Sequence, residues 1–168
     1  MEIEEVIARA EIMDVLWRYC RAVDRGDEAM LKSVYHDGAI DDHGTFKGSG
    51  DGFAEYIVAA MDHSDIVGQH HITNVNFEFE GNTAKVESYY LAYQPVPIDG
   101  GPDEIAIVGG RYNDTFELRD GKWLITHRRV LGDFSRDRIC GPSWPRAINF
   151  PQGARREADP SHGFFKEM

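Results

Sequence analysis

Apolar residues Ile3, Val6, Ala10, Met13, Trp17 and Cys20 recur at steps of three and four, which predicts one face of a long first helix. Asp24 is the next position in that rhythm. A carboxylate thus falls on the stripe expected to be buried, where a charge without a partner is costly. Asp27 stands where an N-cap would open a short second helix through Met30, Leu31 and Val34. The stretch AIDDHGTFKG predicts a strand and a turn, and Phe53, Tyr56, Ile57, Ala60 and Met61 predict a third helix.

From Gln69 the period changes. Val75, Phe77 and Phe79 alternate, EGN makes a turn, and AKVESYYLAYQP predicts a second strand. A loop rich in Pro, Gly and Asp (PVPIDGGPDE) follows. Two long strands come next, IAIVGGRYNDTFELR and KWLITHRRVLGDF, joined by the hairpin signal Asp120-Gly121. Helices first and then a meander of antiparallel strands predict an α+β fold, a curved sheet with three N-terminal helices packed on one side. Such a sheet encloses a concave, mostly apolar pocket. We expect one domain over residues 1–134 and a C-terminal tail, 135–168, that packs on the domain or on a neighbouring subunit. By alternation Trp123 and Ile125 fall on the outer sheet face, an apolar area suited to self-association.

Asp24 calls for a partner. A histidine would suit it, because an Asp–His pair fixes the imidazole tautomer and makes a general base. A plain helix cap, or a surface pair with Arg21 or Arg25, would also satisfy it. QHHITN offers two candidates, of which a regular strand turns only one into a shared cavity. Strict alternation puts His71 with Thr73, Val75, Phe77 and Phe79 on the apolar face, and His70 with Asn74, Asn76 and Glu78 on the polar one.

Charge and composition narrow the partners. The net charge of -11, from 29 acidic and 18 basic residues, argues against nucleic acid or an anionic membrane surface. No apolar run approaches the roughly 20 residues that span a bilayer. The start, MEIEEVIARAEIMD, has no apolar signal core, and Cys20 and Cys140 fit no disulfide framework, so a cytoplasmic home with free thiols is expected. Seven histidines are present, yet none stands at a metal-ligand spacing on a helix. No P-loop, GxGxxG after a strand, or GxSxG elbow occurs, and neither metal nor cofactor is expected.

The segments YCRAVDRGD, QHHITNVNFEFEG and GGRYNDTFELRDGKWLITHRRV together resemble the SnoaL-like branch of the nuclear-transport-factor-two superfamily. They most resemble the group of scytalone dehydratase, hexachlorocyclohexane dehydrochlorinase and bile-acid dehydratase, over residues 3 to 134. The resemblance implies a cone-shaped α+β barrel with a deep pocket. It also implies pairing of Asp24 with a pocket-strand histidine. Two of the three patterns place that histidine four residues before Asn74, at His70; the third could equally point to His71. Choosing His70 requires a bulge at the strand mouth. Tyr19 matches a tyrosine of the bile-acid enzyme, about 140° around the helix from Asp24. Val23 stands where scytalone dehydratase has a tyrosine, and Asp42 or His43 where it has a second, so that enzyme's water-activating pair is missing.

Gly109-Gly110 suggests either a close approach or a bend. Tyr112 shares a face with Val108, Phe116 and Leu118, while Tyr89 and Tyr93 share another. The resulting expectation is a cofactor-independent lyase acting on a small hydrophobic, aromatic or alicyclic molecule. Asp24 and His70 would be catalytic, and Tyr19, His43, His71, Tyr93 and Tyr112 would contact substrate. The leaving group could be water, halide or a carbon fragment such as formaldehyde. An isomerase or cyclase using the same base, and a non-catalytic binding or assembly module, are the rivals. A homo-oligomer is expected, trimer before dimer.

Overall fold

The computed structural model describes residues 2–61, 68–96, 104–136, 149–151, 160 and 164. Residues 97–103 of the predicted loop (95–104), Cys140 and most of the tail lie outside these residues. Three helices, α1 (Ile3–Arg25), α2 (Glu28–Lys32) and α3 (Gly50–Met61), pack on a six-stranded sheet. Its strands are β1 (Tyr35–Asp42), β2 (Lys47–Ser49), β3 (Gln69–Glu80), β4 (Thr83–Val96), β5 (Glu104–Arg119) and β6 (Lys122–Arg136). Their order is β2-β1-β6-β5-β4-β3. The sheet curves without closing. It is mixed and not wholly antiparallel, because β1 pairs with β6 in parallel.

Local chemistry sets the joints. Gly26 ends α1 in the left-handed region at φ 62°, and the Asp27 side chain caps α2 by accepting from Met30 N–H at 2.9 Å. Asp120 and Gly121, both at positive φ, make the two-residue hairpin between β5 and β6.

The phase of α1 differs from the predicted one. Its buried side chains are Ala8, Ile12, Val15, Leu16, Tyr19, Cys20, Ala22 and Val23, whereas Ile3, Val6 and Trp17 are exposed. The helix carries two overlapping apolar arcs, and periodicity alone does not say which one the sheet takes. Trp123 and Ile125 also reverse: they are 6% and 0% exposed and belong to the core between sheet and helices. Among the described residues, exposed apolar side chains on the outer face include Ile40, Tyr89, Tyr93, Ile105, Ile107 and Phe134. A ring of Phe134 lies so close over Gly109 that an added Cβ would stand 2.3 Å from it, and at Gly110 the Leu131 carbonyl oxygen would be 2.0 Å away. The glycine pair therefore serves close approach by the chain's own β6.

Residues 149–151 lie at the pocket end of the sheet. Gly132 N–H donates to the Pro151 carbonyl at 3.0 Å. Gly44, at φ 71°, lies so near Asn149 that a Cβ would stand 2.4 Å from its carbonyl oxygen. Gly44→Ala is expected to lift residues 149–151 and speed exchange of the Gly132 amide about tenfold or more, read by hydrogen-exchange NMR. Unchanged protection of that amide would contradict this account.

Candidate active site

Three register slips decide what faces the interior. In β3 the pairing with β4 shifts between Ile72 and Val75. Beyond that bulge Val75, Phe77 and Phe79 pack inward, and before it His70 and Ile72 do so. In β1 the pairing with β6 shifts between Tyr35 and Ile40, leaving Ile40 exposed and Asp41 fully buried. In β6 a third slip, opposite Thr115 and Phe116, turns Arg128 inward.

The inward side chains meet in a cavity of about 300 Å³ walled by Tyr19, Val23, His43, Phe53, Tyr90, Tyr112 and Val130 among others. That volume is at the lower end for ligand sites and suits a small, largely apolar molecule. Phe150 from the tail forms part of the wall.

Asp24 and His70 meet here. His70 Nδ1 lies 2.6 Å from Asp24 Oδ1, and the His70 backbone N–H donates to the same carboxylate at 3.0 and 3.1 Å. With Nδ1–H donating to Asp24, Nε2 keeps its lone pair and accepts from the Gln94 amide at 2.9 Å. Both side chains are under one-tenth exposed. The imidazole is therefore oriented, singly tautomeric and aimed into the cavity. His71 points to the opposite face, where it meets the Tyr93 ring edge-on at 5.8 Å. Neither His71 nor Tyr93 lines the cavity: the bulge in β3 leaves His71 on the outer face, and Tyr93 alternates with the inward Tyr90 and Ala92 of β4. Tyr90, Ala92, Gln94, Pro95 and Val96 are the wall residues of β4.

A second imidazole pair stands in the same cavity. His43 Nδ1 bonds Asp41 Oδ1, and the other oxygen of Asp41 accepts from the Tyr35 hydroxyl at 2.6 Å. His43 Nε2 lies 3.0 Å from the Tyr19 hydroxyl, and its ring stacks on Phe53 with centroids 3.9 Å apart. Burial pushes the phenols of Tyr19 and Tyr112 well above their ordinary range, so both stay neutral hydroxyls. Burial likewise pushes the Cys20 thiol up to about 12, which leaves it inert.

Beneath the tyrosines lies a buried ion pair that sequence reasoning passed over. Arg128 Nε and Nη2 donate to Asp114 at 2.8 and 2.6 Å, with both side chains at 0% exposure. The guanidinium carbon sits 3.9 Å from the Tyr19 ring centroid and 4.2 Å from that of Tyr112. Burial disfavours the Arg128 charge, but Asp114 outweighs it and holds the guanidinium protonated. A signal was present: Asp114 alternates with Tyr112 and Phe116, a carboxylate on an apolar stripe like Asp24. Asp41 and Gln94 gave no such signal. Among the described residues, no three His, Cys, Asp or Glu side chains gather to hold a metal ion.

A curved sheet, a capping helix layer and polar groups converging on an apolar cavity define the cone-shaped α+β class. The SnoaL-like domain profile matches residues 4–129, and the chain belongs to that family. Among solved structures, a scytalone dehydratase-like protein from Novosphingobium aromaticivorans is 19% identical with a TM-score of 0.72, over 90% of this chain and 97% of that one. The hexachlorocyclohexane dehydrochlorinase of type 3 from Novosphingobium barchaimii is 19% identical with a TM-score of 0.72, over 86% and 99%. A protein of unknown function from Mycobacterium tuberculosis is 22% identical with a TM-score of 0.63, over 78% and 75%. No curated protein matches the chain.

Proposed function

We propose that the protein is a cofactor-independent lyase that abstracts a proton from carbon with His70, Asp24 stabilising the imidazolium that forms. The observation that carries this reading is the 2.6 Å Asp24–His70 contact with Nε2 turned into an apolar cavity. A scaffold without chemistry has no need of such a pair, since a buried ionisable couple seldom improves on apolar packing. The pocket's aromatic wall suits a small aromatic or alicyclic substrate. Structural relatives described as a dehydrochlorinase and as scytalone dehydratase-like are in keeping with elimination. Elimination from a β-aryloxy ketone tests it. The protein should release phenol from 4-phenoxybutan-2-one faster than buffer does, and His70→Gln should remove the gain. Equal release by the parent and His70→Gln proteins would overturn the reading.

Assembly belongs to the same proposal. Tyr93 pairs in register with Ile107, and Phe134 with Gly109, so Tyr93, Ile107 and Phe134 adjoin on the outer face. A second copy covering it would give a homo-oligomer, a trimer in first place. Sedimentation at micromolar concentration should give a mass above the 19.0 kDa of one chain. A monomer there would rule the assembly out.

A further inference from the structure

Two imidazoles line one cavity, and each is anchored through Nδ1 on a buried carboxylate. One base suffices to remove a proton, so the second pair calls for a separate task. Its Nε2 does not face open cavity. It faces the Tyr19 hydroxyl, itself a wall group, at 3.0 Å. Consider His43 carrying protons on both nitrogens. Nδ1–H then donates to Asp41, Nε2–H donates to the Tyr19 oxygen, and the phenolic O–H is left to point at whatever fills the cavity. Asp41 is held by the Tyr35 hydroxyl at 2.6 Å, and the His43 ring by Phe53, so the chain has little freedom to rearrange.

We propose that Asp41, His43 and Tyr19 form a proton-delivery chain that protonates the departing group, and that this group is therefore an oxygen. The proposal rests on His70 as the base. His70 Nε2 takes the proton from carbon, and the C–H electron pair becomes the new C=C bond. The C–O bond breaks with its pair going to oxygen, which takes the phenolic proton of Tyr19 while His43 Nε2 resupplies Tyr19. One turnover moves a proton onto His70 and off His43, and proton exchange with water reverses both. A halide departs as a stable anion and has no use for this chain. An alkoxide-level oxygen is a poor leaving group until protonated, and general-acid help of this kind is worth about 10²–10⁴-fold. Tyr19 and His43 are catalytic residues in this account, and Asp41 is a positioning residue.

Two probes of nearly equal size separate the roles. 4-Phenoxybutan-2-one must expel phenoxide, which gains much from a proton. 4-(4-Nitrophenoxy)butan-2-one expels nitrophenoxide, which gains little. The ratio of kcat/KM for the first over the second is expected to fall about 10²-fold in His43→Gln and in Tyr19→Phe. Asp41→Asn should lower the ratio in the same direction through kcat, not KM. His70→Gln should slow both probes by a common factor and leave the ratio unaltered. An unchanged ratio in His43→Gln overturns the delivery chain while leaving the base reading intact. Undiminished rates with both probes in His70→Gln overturn the base reading, and so does failure of the parent protein to turn over either.

Discussion

Asp24→Asn is expected to lower turnover about 10²–10⁴-fold, although the new side chain has nearly the same shape. The amide cannot supply the negative charge that stabilises the imidazolium, and it can hold the imidazole in the wrong tautomer. His70→Gln, which removes the base itself, should cost at least as much. Because the two act through a single bond of 2.6 Å, the double variant should be little worse than either single one. Calorimetry with 4-phenoxybutan-2-one should show binding retained in all three, since Phe53, Tyr90 and Tyr112 still wall the cavity. His71→Ala serves as the control, because that imidazole lies on the opposite face. Additive losses in the double variant would argue that the residues work independently.

Arg128→Met is expected to be strongly destabilising, by about 3–5 kcal/mol. Arg128 and Asp114 are both fully buried, so removing the guanidinium leaves a buried carboxylate without its counter-charge. The pH dependence follows from the direction of the Asp114 shift. Burial already pushes its carboxyl above the ordinary range, against the pull of Arg128. Without Arg128 the folded-state value rises further. A raised folded value gives a contribution that is full below the unfolded value and lost as pH climbs through the folded one. The deficit of Arg128→Met should thus be largest near neutral pH and shrink on acidification, once Asp114 is protonated. Urea titrations at several pH values would measure this, and adding Asp114→Leu should recover much of the loss. A deficit below about 1 kcal/mol would mean that Asp114 tolerates burial alone.

The order of helices and strands was legible in the sequence because each segment keeps one period. Val75, Phe77 and Phe79 announce a strand, and Asp120-Gly121 announces its kind of turn. Phase was less legible. α1 has two apolar arcs, and Trp17 went to the wrong one. Trp123 and Ile125 were placed outside, although the core needs their bulk between sheet and helices. The site splits along the same line. Asp24 stood out because a carboxylate interrupts an apolar rhythm, and Asp114 interrupts one just as plainly. Asp41, Arg128 and the choice between His70 and His71 depend on register slips. Such slips are set by pairing with distant strands, and no local pattern reports them. The parallel pairing of β1 with β6 is hidden for the same reason.

The bulge between Ile72 and Val75 gives the doubled histidine a different meaning. A strand has two faces, so adding or losing one residue between the slip and the strand mouth exchanges everything on the mouth side. Here that exchange would carry His70 out and bring His71 in, replacing one imidazole by another. The neighbouring β4 wall of Tyr90, Ala92 and Gln94 would stay where it is. The cavity would keep a titratable ring through an indel that would strip most sites of theirs. What changes is its depth and its distance from Asp24 and Gln94. A strand that carries the same group on both faces thus offers the lineage a way to reposition its base in a single step without passing through an empty site.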